Sequence, residues 1–143
     1  MKRILHPTDF SESAAKAEDE AVMLLRALKG ELLLLHVAVE APLYNEAMFG
    51  LVNPQAVYDA QRKWAEEQLE KRAADLRSAG VITRCIARSG PPAETIAEVA
   101  KEEACDLIVM GTRGLSGLNR FLVGSVADGV VRMASCPVMT VKT

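Results

Sequence analysis

A chain of 143 residues that is 50% apolar and 25% charged is long enough for one domain, residues 1–143, with a proper core. A formal net charge of -2 gives no electrostatic reason to expect a nucleic acid or an anionic membrane as partner, and the longest apolar runs, 32–35 and 107–110, are far too short to cross a bilayer. Cys85, Cys105 and Cys136 form no CxxC pair and no zinc pattern, and no signal-peptide pattern precedes the strand-like Ile4-Leu5, so buried thiols in the cytoplasm are the expectation.

Apolar strand-like runs alternate with helical patterns from end to end, which points to βαβ units and a parallel sheet. The first strand is expected at residues 2–6, followed by a turn at Pro7-Thr8-Asp9. Asp9 or Ser11 can cap the next helix, whose apolar stripe is Ala14, Ala17, Ala21, Leu24, Leu25 and Leu28. Gly30 stands where a C-terminal cap glycine belongs, and a second strand covers 31–37. Residues 40–53 form an unusually apolar loop, either a partner surface or a cover for the core. Asn53 then caps a long helix with Pro54 at its first position, and the acid-first pairs Asp59–Lys63 and Glu67–Lys71 mark a solvated face. Trp64 and Tyr58 are expected to pack inward from this helix, which ends before Gly80. A third strand at 82–87 alternates apolar and polar residues. Gly90-Pro91-Pro92 opens a third helix with Ala93, Ile96, Ala97 and Ala100 on one face. The fourth strand is 107–110, the last helix 125–134 and the fifth strand 137–141.

The character of the strands orders them. The second and fourth carry the continuous apolar runs 32–35 and 107–110, as strands buried on both faces do, whereas the third alternates and the fifth opens with Pro137. Placing the third and fifth at the edges gives an open five-stranded sheet of order 3-2-1-4-5 with helices on both faces. The chain then reverses direction between the first and fourth strands, and ligands of such sheets bind at the carboxyl ends of the strands at that point. Pro7-Thr8-Asp9 and the segment after Met110 should meet there.

That segment is Gly111-Thr-Arg-Gly114-Leu-Ser-Gly117-Leu-Asn-Arg-Phe-Leu-Val-Gly124-Ser125, and it holds four of the nine glycines of the chain. Glycines allow sharp turns and a close approach of backbone N–H groups to a ligand. Gly124-Ser125 opens a helix whose free N–H groups and dipole favour a phosphate. Arg113 and Arg120 add positive charge, and Thr112, Ser116 and Ser125 add hydroxyls. The chemistry is that of a polyphosphate cradle, although glycines between a strand and a helix also serve as plain turn residues.

The spacing G-x2-G-x9-G-[S/T] at Gly111, Gly114, Gly124 and Ser125 resembles the ATP-binding signature of the universal stress protein family. The likeness runs through Ile-Leu-His-Pro-Thr-Asp-Phe-Ser at 4–11, Leu-Leu-His-Val at 34–37, Cys-Asp-Leu-Ile-Val-Met-Gly at 105–111, Gly-Ser-Val-Ala at 124–127 and Cys-Pro-Val-Met-Thr-Val at 136–141, essentially the whole chain. His6 departs from it, since the family usually has a small aliphatic residue there. The resemblance implies a Rossmann-like fold of the adenine nucleotide alpha hydrolase type. It also implies roles. Asp9 would meet the ribose hydroxyls or a nearby metal, and Pro7 and Thr8 would flank base and sugar. Val37 would meet adenine through its backbone, and Met110 and Gly111 would cover base and ribose. Gly114, Gly124, Ser125 and Val126 would bind the phosphates with Arg113 alongside. Mg²⁺ would arrive with the ATP, because one acidic residue is too few for a protein cage. A homodimer through the fifth strand is implied as well, and that strand has few charges to guard its edge.

Plainer roles stand beside these. Asp9 read alone is a helix cap, Ser125 serves as phosphate contact or N-cap, and His6 and His36 read as satisfied core histidines. Three classes of function compete: an ATP-binding regulatory module in a stress response, a slow ATPase or self-phosphorylating enzyme, and a flavin carrier. The absence of G-x4-G-K-[S/T], and of any lysine in the glycine loop, argues against efficient phosphoryl transfer. Aromatic residues at 4% leave few rings to sandwich a flavin.

Overall fold

Leu32, Leu33, Leu34 and Leu35 are all 0% exposed in the computed structural model, which describes residues 1–39, 50, 53–112 and 124–142. A strand sends successive side chains to opposite faces, so a run buried at every position needs cover on both. The chain supplies it with β1 (Arg3–Pro7), α1 (Glu12–Leu28), β2 (Glu31–Ala38), α2 (Pro54–Ser78), β3 (Ile82–Ser89), α3 (Pro92–Glu102), β4 (Leu107–Gly111), α4 (Ser125–Met133) and β5 (Val138–Val141). The five strands form one parallel sheet in the order β3-β2-β1-β4-β5, as the apolar runs predict. Leu5, Leu33, Leu35, Ile108 and Met110 face α3 and α4, where they pack with Ile96, Val99, Ala127 and Val130. Ile4, Leu32 and Val109 face α1 and α2, where they pack with Ala17, Ala21, Leu25 and Leu76. Each buried leucine side chain contributes about 1.5–3 kcal/mol by leaving water.

Helix starts follow the capping residues. Ser11 Oγ accepts the Ala14 N–H at 3.2 Å and is the cap of α1. Asp9 is not that cap; its Oδ1 accepts the Ser11 N–H at 3.0 Å, one residue pair earlier. Asn53 Oδ1 accepts from Gln55 and Ala56, and Pro54 takes the first helical position of α2. The buried stripe of α2 is Ala65, Leu69, Ala73 and Leu76, the spacing of one helical face.

Some details differ from the sequence reading. Lys29, not Gly30, takes the left-handed conformation at the end of α1, with φ 55 and its N–H on the Leu25 carbonyl at 2.8 Å. Gly30 is glycine for another reason, since a Cβ there would lie 2.2 Å from the Lys2 carbonyl oxygen. Trp64 does not pack inward; it stands beside the buried stripe of α2 at 52% exposure, and Leu28 at the end of α1 is exposed too. Asp59 is held by Arg62 at 2.5 Å and Gln55 at 2.9 Å, with its sequence-expected partner Lys63 left to solvent exposure. The cysteines are free thiols, but only Cys105 is buried as expected, Cys85 and Cys136 being half-buried; burial pushes Cys105 up to about 11, as befits an inert core residue. Of the apolar loop 40–53, residues 40–49, 51 and 52 lie outside the described residues. Among the described residues no helix is long and apolar enough to cross a membrane.

The β1–β4 ladder is the shortest on β1. It sets Ile4 opposite Leu107 and Leu5 opposite Ile108 and goes no further, whereas β1 stays registered with β2 from Arg3 to Pro7.

The two roles at the end of α1 separate in unfolding experiments. Gly30→Ala should lower stability by about 1–3 kcal/mol, the range for forcing an extra carbon into a packed site. Lys29→Gly should leave it unchanged or raise it by up to about 1 kcal/mol, because glycine bears the left-handed conformation without strain. Urea titration of both variants measures the contrast.

Candidate functional site

Where β1 and β4 part, a cavity of about 270 Å³ opens at the carboxyl ends of the strands. The end of β1 contributes Pro7, Thr8 and Asp9, the end of β2 Val37 and Val39, and the end of β4 Met110, Gly111 and Thr112. Gly124, Ser125, Val126 and Ala127 enter from the start of α4, Pro92 and Ile96 from α3, and Ala14 from α1. Nine of the eleven residues singled out from sequence therefore surround one space: Pro7, Thr8, Asp9, Val37, Met110, Gly111, Gly124, Ser125 and Val126. Arg113 and Gly114, together with Ser116, Gly117 and Arg120, lie outside the described residues.

The turn after β1 is held to β2 and by its own Thr8 hydroxyl. The Thr8 N–H donates to the Leu35 carbonyl at 2.8 Å, and the Phe10 N–H donates to Thr8 Oγ1 at 3.0 Å. His36 Nδ1–H donates to the Thr8 carbonyl at 2.9 Å, so His36 is tied to the site turn rather than filling the core. Phe10 has a φ of 65, and its side chain leaves the turn on the side facing α2.

The glycines at the site answer to different constraints. A Cβ on Gly111 would lie 2.3 Å from Ser13 Oγ and 2.9 Å from the Ser13 carbonyl oxygen, so glycine there lets β4 run against α1. Gly124 has φ -61 and ψ 155, a conformation open to any residue, and its N–H donates to the Thr112 carbonyl at 2.6 Å. Its backbone shape therefore does not demand glycine. Among the described residues no side chain caps α4 or α3, whose caps are Gly124 and Pro91.

One wall is apolar, made by Val37, Val39, Pro92, Ile96 and Met110, and suits a flat ring. The same space is also lined by the N-terminus of α4 and the hydroxyls of Thr112 and Ser125, which suit a phosphate. Asp9 is the one carboxylate among the described lining residues, and among the described residues no cluster of ligating side chains could cage a metal. Sequence reasoning did not place Ala14, Val39, Pro92, Ile96 or Ala127 at the cavity. The Gly90-Pro91-Pro92 signal marked the start of α3, but nothing local says that this start faces the end of β1.

Behind the turn, His6 is wholly buried. Its Nδ1–H donates to the Val109 carbonyl at 2.9 Å, and its Nε2 is buried without a hydrogen-bond partner among the described residues. It is a core histidine, as the sequence suggests, but only half satisfied. Burial holds its pKa below the ordinary 6.5. The bond to Val109 and the charges of Glu18 and Asp9 oppose that effect, and Arg72 adds to it.

Comparison with known proteins shows the family and the fold. The family model described as "Universal stress protein family" matches residues 1–142. The chain is 35% identical to the universal stress protein YxiE of Bacillus subtilis, over 99% of each chain. It is 33% identical to the universal stress protein MJ0577 of Methanocaldococcus jannaschii, over 99% of this chain and 94% of the relative. Among solved structures, universal stress protein UspA from Lactobacillus plantarum superposes with a TM-score of 0.84 at 27% identity, covering 99% of this chain and 97% of that one. Two more distant structures share the fold: a universal stress protein in complex with cAMP, at 24% identity and TM-score 0.67, and one from Arabidopsis thaliana with AMP bound, at 23% and 0.66.

The half-satisfied His6 gives the fold an acid-sensitive point. Its folded pKa is depressed, so the unfolded chain binds the proton more readily. The His6 contribution is then complete above pH 6.5 and is lost as pH falls from 6.5 towards the folded value. The slope should be at most about 1.4 kcal/mol per pH unit. His6→Gln keeps an N–H donor for Val109 without a titrating ring. Its urea midpoint should fall less than that of the unsubstituted protein between about pH 7 and pH 5.

Proposed function

The chain belongs to the universal stress protein family, and on that footing we propose that it is an ATP-binding regulatory module whose nucleotide occupancy, rather than turnover, carries its function in a stress response. The observation that carries this reading is Gly124. It lines the cavity at the open N-terminus of α4 in a conformation that any residue could adopt, so glycine there is best explained by a ligand that needs the backbone close. In the proposed arrangement adenine lies against the apolar wall, with Val37 at its edge and Met110 and Gly111 over base and ribose. Asp9 meets the ribose hydroxyls, with Pro7 and Thr8 beside them. Gly124, Ser125 and Val126 hold the phosphates, joined by Arg113 and Gly114. Mg²⁺ accompanies the phosphates, since Asp9 by itself is no cage. The nucleotides carried by the two distant relatives support an adenine nucleotide as the class of ligand.

The second reading is a slow ATPase or self-phosphorylating enzyme. Asp9 keeps it in view as the carboxylate of the cavity. The lack of a lysine among the described lining residues argues against it, since efficient phosphoryl transfer uses cations at the γ-phosphate. We further propose that the protein works in the cytoplasm as a homodimer paired through β5, whose outer edge has no partner strand in the sheet.

The cradle is tested by calorimetry with ATP, ADP and adenosine. Gly124→Val should abolish ATP binding while costing about 1–2 kcal/mol of stability, the range of ordinary destabilising substitutions. Gly114→Val should behave alike, Gly117→Ala should be far milder, and adenosine should bind more weakly than either nucleotide. Unchanged ATP affinity in folded Gly124→Val would remove the phosphate site from α4. Steady-state phosphate release should fall well below the usual enzyme range of about 1–1000 per second; release at tens per second, lost on a site substitution, would favour the enzyme reading. Light scattering should find a dimer that Thr140→Pro weakens: the Val141 carbonyl faces β4 and accepts the Thr112 N–H, so the alternate residue Thr140 turns its N–H to the outer edge.

A further inference from the structure

The nucleotide reading makes no use of three aromatic side chains that sit directly behind Asp9. Phe10 adopts a φ of 65. In the left-handed region Cβ crowds the carbonyl oxygen, and a bulky residue there is an outlier. Such strain persists only where the surroundings over-determine it, and it gathers at functional sites. At Phe10 the surroundings are specific. The ring stacks on the His36 imidazole with centroids 5.0 Å apart and an interplanar angle of 27°. It also meets Trp64 of α2 edge-on, at 5.5 Å and 85°. His36 is itself bonded to the Thr8 carbonyl at 2.9 Å, and the Phe10 N–H to Thr8 Oγ1 at 3.0 Å. Aromatic pairs in these two geometries are favourable beyond the area they bury.

The kink has a direction. Asp9 lines the nucleotide cavity, while Phe10, the next residue, borders the groove between α1 and α2 on the other side of the turn. The left-handed residue is what sends the two neighbours to opposite sides. A relaxed backbone at Phe10 would swing the Asp9 carboxylate relative to the floor that Val37 and Met110 provide.

We propose that Phe10, His36 and Trp64 are positioning residues for the ligand. The stack holds the strained kink, and the kink holds Thr8 and Asp9 against the sugar of the bound nucleotide. The proposal rests on the reading of the cavity as a nucleotide site. It also ties that site to α2, because Trp64 is half-exposed on that helix, and Trp64 is the sole tryptophan of the chain.

The test pairs ATP calorimetry with tryptophan emission. In the unsubstituted protein, saturating ATP should shift Trp64 emission. Phe10→Ala should weaken ATP roughly tenfold, a change equivalent to about 1.4 kcal/mol, and should abolish the emission shift. Phe10→Tyr keeps the ring and should preserve both. Trp64→Leu alters a half-exposed position and should weaken ATP roughly threefold with the fold intact; it decides the matter if Phe10→Ala fails to fold. A loss of global stability would not imitate this pattern, since affinity is read on fully folded protein. ATP affinity unchanged in folded Phe10→Ala and Trp64→Leu overturns the proposal while leaving the nucleotide site standing. No binding heat with the unsubstituted protein overturns the nucleotide reading, and the positioning role with it.

Discussion

Pro7 has no backbone N–H, and the β1–β4 ladder stops where that donor would be needed. β1 and β4 are neighbours in the middle of the sheet, yet their register stops at Leu5 opposite Ile108. Extending it would bring Val109 and Met110 alongside His6 and Pro7, where proline can give nothing to a ladder. The Val109 carbonyl accepts from the His6 side chain instead, at 2.9 Å. Backbone groups in a sheet interior must be paired, so a side chain that satisfies the last carbonyl lets the strands separate at little cost. At the carboxyl ends of these two strands the crossovers to α1 and α4 leave on opposite faces of the sheet. The opening therefore lies between a turn and a helix N-terminus, a position that favours a ligand in any sheet of this winding.

Most of the fold was legible because burial and strand character go together. Leu32–Leu35 had to be central, and the alternating third strand had to be an edge, which left one sensible order. Caps were legible where a side chain does the capping, as at Asn53. They were misread where the backbone conformation is the device. Gly30 looked like a left-handed cap, but the left-handed residue is Lys29, and Gly30 is small because β1 passes close by. Sequence spacing reports what an element needs locally; it does not report which backbone passes nearby. Trp64 failed for a related reason. It adjoins the buried stripe of α2, and its partner Phe10 belongs to a turn 54 positions away whose conformation no pattern announces.

The lining of the cavity was legible at its first turn and at Gly111 and Gly124, and less so in its walls. Nine positions that the family resemblance implies line one cavity, because the fold order fixes which loops meet. Their chemical reasons divide, however. Gly111 is required by the approach of Ser13 on α1, whatever the cavity contains. Gly124 has no comparable constraint from its own dihedrals, and so says more about a ligand. Val39, Pro92 and Ile96 were invisible as site residues because an apolar side chain that lines a cavity looks, in sequence, like one that fills a core.

Whether such a site holds its ligand or cuts it depends on where charge is placed. A catalyst must bind the transition state more tightly than the ground state. Backbone N–H groups at the start of α4 would meet phosphate charge that is already present before any bond breaks, so their contribution would be nearly uniform along a reaction. On the proposed arrangement Asp9 is at the sugar, away from the γ-phosphate that a base would have to serve. The described lining adds hydroxyls and apolar walls and no cationic side chain. On the proposed reading, a site built this way stabilises occupancy. Occupancy matters to the rest of the molecule only if some contact outside the cavity senses it. Phe10 is placed for that, since the same left-handed residue that turns Asp9 inward puts a ring against Trp64 on the surface of α2.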